Sequence, residues 1–123
     1  MKILLVQQGD WLRKRLAKEI QDHLKVNVFA TDNLREAAKA CKKKGRFCVV
    51  VASHSHGHNG MRFIRALQKA RPETGTVLLG SWPYIYKEIA DSIVEPHKTT
   101  KEITEAIIIA KMAAELRLKK ASD

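Results

Sequence analysis

At 123 residues, the chain can bury one hydrophobic core but not two, so a single domain over residues 1–123 is expected. Its 45% apolar and 29% charged residues are ordinary for a soluble globular protein, and no apolar run approaches membrane-spanning length. Twenty-three Lys and Arg against thirteen Asp and Glu leave a net charge of +10, which favours an anionic partner over a basic one.

In chain order, residues 3–6 form an apolar strand that runs into Gln7-Gln8-Gly9, with Asp10 at the position of a helix N-cap. That polar break ends the apolar run too early for a secretory signal. Leu12, Leu16, Ile20 and Leu24 then recur every four residues among Arg13, Lys14, Arg15 and Lys18, which describes an amphipathic helix. Residues 25–30 alternate as a short strand. Thr31-Asp32-Asn33 offers the next cap, and Leu34, Ala37, Ala38 and Cys41 mark a second helix closed by Gly45.

The run over residues 47–53, Phe-Cys-Val-Val-Val-Ala-Ser, is continuously apolar and partly β-branched and stops at a Gly- and His-rich loop, as a strand buried on both faces would. Met61, Ile64, Leu67 and Ala70 give a third helix that must stop before Pro72, and residues 76–80 give a fourth strand. Only a short helix near residues 85–90 and a stub of strand at residues 92–94 fit before Glu95-Pro96. Thr99 or Thr100 then caps a long last helix reaching about Lys119, with fraying beyond. Five strands alternating with five helices argue a parallel sheet covered on both faces by right-handed crossovers. Cys41 and Cys48 have no metal-type spacing and fit as small hydrophobes in a reducing compartment, so a cytoplasmic protein is expected.

The succession Lys2-Ile3-Leu4-Leu5-Val6, the polar pair Gln7-Gln8, the third-strand run closing on a loop that ends Asn59-Gly60, then Val77 to Ser81 and Val94-Glu95-Pro96-His97, resembles the receiver domain of bacterial response regulators over nearly the whole chain. The resemblance implies a flavodoxin-like, CheY-like α/β sandwich with five parallel strands in the order 2-1-3-4-5, here with a shortened fourth-helix region. It also implies phosphoryl transfer to an aspartate, which needs a carboxylate nucleophile, an acidic pair for Mg²⁺, a hydroxyl and a lysine. Carried over residue by residue, the acidic pair falls on Gln7 and Gln8 and the phosphoacceptor on Ala52, or with a one-residue slip on Ser53. The hydroxyl falls on Ser81 and the lysine on Glu95. The expectation is therefore a degenerate pseudo-receiver: no enzyme, no cofactor, no small-molecule substrate and no phosphorylation.

The loop His54, His56 and His58, with His97 beyond the fifth strand, could converge on a transition metal. No spacing motif matches, however, and a solvated loop is the simpler reading, so no metal is expected. Ser53 or Ser55 beside a histidine lacks the glycine pattern of a nucleophile elbow.

Two surfaces are candidates for partners. On the last helix Ile103, Ala106, Ile107, Ala110 and Ala114 make one apolar stripe, and Ile109, Met112 and Leu116 make a second on another side. The second stripe is either covered by Trp82, Tyr84 and Tyr86 or exposed for a protein partner or a homodimer. Receivers often pair through this region. The alternative surface is basic: Lys39, Lys42, Lys43, Lys44, Arg46, Arg65, Lys69 and Arg71 on the second and third helices could bind nucleic acid without sequence specificity. A solvated charged face is the plainer account of it.

Overall fold

The computed structural model describes residues 1–43, 46–53, 58–80, 89–95 and 98–122, with only the backbone of His58 and Ser122. Its elements are β1 (Lys2–Val6), α1 (Asp10–Leu24), β2 (Asn27–Thr31), α2 (Leu34–Ala40), β3 (Val49–Ser53), α3 (His58–Ala70), β4 (Gly75–Leu79), β5 (Ser92–Val94) and α4 (Thr100–Ser122). The strands form one sheet in the order β2-β1-β3-β4-β5, every pair parallel. This is the flavodoxin-like order implied by the resemblance.

Alternation along the strands divides the core. Leu4, Val6, Val50, Ala52 and Leu78 face α2 and α3 with Ile64 and Leu67, while Ile3, Leu5, Val49, Val51, Val77 and Leu79 face α1 and α4. All five residues of β3 and of β4 are buried, as a doubly covered strand requires. Only Thr31 of β2 is buried, because β2 is the sheet edge.

Several boundaries differ from the sequence reading, each for a local reason. Gly9 rather than Asp10 is the N-cap of α1, so Asp10 opens the first turn, where its charge complements the helix dipole. Lys25, read as strand, closes α1 in the left-handed region at φ 55°. Phe47 and Cys48 precede β3, β4 begins one residue earlier at Gly75, and α2 ends at Ala40. Asn33 caps α2, its side chain accepting from the N–H groups of Arg35 at 2.8 Å and Glu36 at 3.2 Å. The Thr99 hydroxyl accepts from the Glu102 N–H at 3.3 Å, and α4 continues to Ser122, beyond the expected end. Ile89 and Ala90, expected in a short helix, are turn and bend; residues 81–88, where the rest of that helix was expected, lie outside the described residues.

Candidate functional site: the carboxyl end of β1 and β3 and two helical surfaces

The strand order reverses between β1 and β3, and in such sheets the space beyond their carboxyl ends is where ligands gather. Val6 pairs with Ala52 there. Ala52 is fully buried, Ser53 2% exposed and Gln7 3% exposed, while Gln8 is exposed and Glu95 half-buried. Gln7 is fastened locally. Its N–H donates to the Thr31 carbonyl at 3.0 Å, and its side-chain oxygen accepts from the Gly9 N–H at 3.3 Å.

Arg13 occupies the mouth of this end. One guanidinium nitrogen donates to the Gln7 carbonyl at 3.0 Å and the Gln8 carbonyl at 3.2 Å, and the other pairs with the Asp10 carboxylate. The backbone oxygens at the end of β1 are thus bonded to a side-chain cation. Gln7 and Gln8 are neutral amides, and the Ala52 side chain is a methyl group. Among the described residues no cluster of three or more His, Cys, Asp or Glu could hold a metal. His54, Ser55, His56, Ser81 and His97, and the side chain of His58, lie outside the described residues.

On α4 the two stripes separate as the spacing predicts. Ile103, Ala106, Ile107, Ala110 and Ala114 are buried against the sheet, whereas Ile109, Met112 and Leu116 are more than half exposed. Ile108, not singled out from the sequence, extends the outward stripe. Trp82, Tyr84 and Tyr86, proposed to cover it, are outside the described residues. No described helix is long and apolar enough to cross a membrane.

The basic residues are less unified than their spacing suggested. α2 and α3 do lie side by side, with Lys39, Lys42, Lys43, Arg65 and Lys69 exposed. Arg71 instead donates to the carbonyls of Cys41 at 3.3 Å and Lys42 at 2.7 Å. Arg46 turns toward the β2 edge, 5.6 Å from the centre of the Phe29 ring and 5.2 Å from that of Phe47. Lys44 is outside the described residues. Sequence reasoning also missed Trp11, 72% exposed with the Arg15 guanidinium 5.0 Å over its ring. Its signal was available: a tryptophan one position off the Leu12–Leu16–Ile20 stripe, among cationic side chains.

Neither protein-family models nor curated proteins give a match to this chain. Solved structures do. An adenylate cyclase from Rhodopirellula baltica superposes with a TM-score of 0.80 at 18% identity, covering 98% of this chain and 94% of that one. A response regulator receiver domain protein from Clostridium thermocellum gives 0.74 at 19% identity, covering 94% and 97%. The N-terminal domain of a response regulator/sensory box/GGDEF three-domain protein from Carboxydothermus hydrogenoformans gives 0.74 at 20%, covering 98% and 99%. At these identities the likeness is one of architecture: the chain has the flavodoxin-like, CheY-like fold of response regulator receiver domains.

Proposed function

We propose that this chain is a pseudo-receiver: a non-enzymatic, phosphorylation-independent module that acts through protein–protein contact in signalling or regulation, in the cytoplasm. The observation that carries the reading is the composition of the switch-point end. Ala52 stands fully buried where the resemblance places the nucleophile, and Gln7 and Gln8 stand where it places the acidic pair. Arg13 is bonded to the backbone oxygens beside them. Without a carboxylate nucleophile there is no acyl phosphate to form, and without anionic oxygens a divalent cation is weakly held.

The outward face of α4 supplies the contact surface. Ile108, Ile109, Met112 and Leu116 form an exposed apolar strip, with Glu102 in the first turn and Lys119 and Lys120 in the last. A second copy packed antiparallel about Met112 buries both strips, so a homodimer suits this face. Met112→Glu with Leu116→Glu is expected to convert a dimer to a monomer in sedimentation equilibrium with unchanged circular dichroism. Acetyl phosphate with Mg²⁺ is expected to leave no acid-labile label on either protein. Incorporated label overturns the phosphorylation-independent reading. A wild-type monomer overturns the dimer.

The nucleic-acid reading draws on the exposed Lys39, Lys42, Lys43, Arg65 and Lys69. It is weakened because the Arg71 donors are spent on backbone carbonyls and Arg46 is directed to another edge.

A further inference from the structure

We propose that the crevice between α2 and α3 is a docking groove for an acidic peptide segment that inserts one large aliphatic side chain between the two helices. The surface lies across the sheet from α4, so the inference stands apart from the dimer reading.

The crevice exists because the facing residues are small. Ala38 on α2 and Ala66 and Ala70 on α3 leave an opening of about 230 Å³, lined almost entirely by apolar surface and underlain by Phe63 and Leu67. Longer side chains at the three alanines would close the seam, as packing at interior density requires. Arg71 holds it open at a fixed spacing. From the end of α3 its guanidinium donates to the Cys41 and Lys42 carbonyls where α2 has just ended, tying the two helices together. A groove already formed before binding spares a ligand the cost of shaping it.

The charge around the opening selects the ligand. Lys42 on one side and Arg71 on the other line it, and Lys39 and Arg62 are exposed on the same two helices. The nearest α2 carboxylate, Glu36, accepts the Thr31 hydroxyl at 2.7 Å. A cationic rim favours an acidic partner and speeds its encounter. The apolar interior then distinguishes a peptide from a nucleic acid, because a phosphate backbone has nothing aliphatic to insert. The Cys41 thiol in the crevice wall belongs to that interior. Burial pushes it up to about 11, with Arg71 and Arg46 pulling only partly back, so near neutral pH it remains a protonated, weakly polar wall atom.

The test is fluorescence anisotropy with a labelled peptide of Asp and Glu around a single Leu, and the same peptide with Ser in place of Leu, at physiological salt. Burying the leucine is expected to tighten binding about tenfold or more. Ala66→Phe, at an exposed helical position, and independently Ala38→Leu from the opposite wall are each expected to abolish the leucine advantage. Lys42→Glu is expected to weaken both peptides. Equal binding of the two peptides overturns the proposal, as does a leucine advantage that survives both filled variants. Displacement of the leucine peptide by a random DNA duplex with equal affinity also overturns it and assigns the surface to nucleic acid.

Discussion

Gly75→Ala is expected to destabilise the protein by about 3 kcal/mol, lowering its thermal midpoint by roughly 10 °C. A Cβ on Gly75 would lie 2.6 Å from the Ala110 carbonyl carbon and 3.0 Å from the Lys111 nitrogen, and would also collide with the Ala110 oxygen. All three are backbone atoms of α4, so no side-chain rotation relieves the contact. α4 must lift off the first residue of β4, or β4 must leave its register, in which the Gly75 N–H donates to the Cys48 carbonyl at 2.8 Å. The stripe Ala106, Ala110 and Ala114 exists to permit this approach, since alanines four residues apart let the helix backbone sink onto the sheet. Urea denaturation of the single variant checks the value. A loss below about 1 kcal/mol would mean that α4 slides without penalty, and the outward angle of Ile109, Met112 and Leu116 would then not be set by the fold.

That pairing also shows where reading the sequence stops. The alanine stripe announced its own burial through a four-residue repeat, as Leu16 and Ile20 did on α1, and the β-branched run announced β3. Periodicity and composition determine which face of an element is buried, so element order and core were legible, while the strand order came from the resemblance to receiver domains. They do not determine what the face meets, and nothing about Gly75 beside Thr76 in a turn-rich stretch marked it as the partner of Ala110. The carboxyl end of β1 and β3 was half legible for a related reason. Gln7, Gln8 and Ala52 are side-chain identities and could be placed by layout, whereas Arg13 acts on the carbonyls of Gln7 and Gln8, groups every residue carries. Lys25 at φ 55° had no signal at all, because a left-handed helix cap is ordinarily glycine or asparagine. Counting charges along the basic stretch from Lys39 to Arg71 cannot show that Arg71 is turned onto the end of α2 and Arg46 onto two phenylalanine rings.

Asp91→Ala is expected to cost about 3 kcal/mol or more, because it removes one partner of a largely buried ion pair and leaves several groups unsatisfied. The Asp91 side chain is 8% exposed and that of Arg117 34%. One carboxylate oxygen accepts from the Thr76 N–H at 2.9 Å, the Thr76 hydroxyl at 3.3 Å and an Arg117 nitrogen at 3.1 Å, and the other pairs with the second Arg117 nitrogen. Thr76 is fully buried, and its hydroxyl accepts from the Asp91 N–H at 3.0 Å and the Gln68 side chain at 2.8 Å. Arg117 further donates to the Pro72 and Thr74 carbonyls, each at 3.2 Å. One guanidinium near the end of α4 thus fastens that helix to the turn before β4 and to the residue before β5. Arg117→Ala should cost less than Asp91→Ala, since Asp91 keeps the Thr76 N–H while Arg117 without Asp91 keeps only carbonyls. A double-mutant cycle in urea checks the coupling, with the double variant expected to be more stable than the sum of the two losses predicts. Additive losses would mean that the two side chains act separately. The last turns of α4 would then be held by the apolar stripe and by the Arg117 bonds to the Pro72 and Thr74 carbonyls, and the presentation of Met112 and Leu116 would not depend on Asp91.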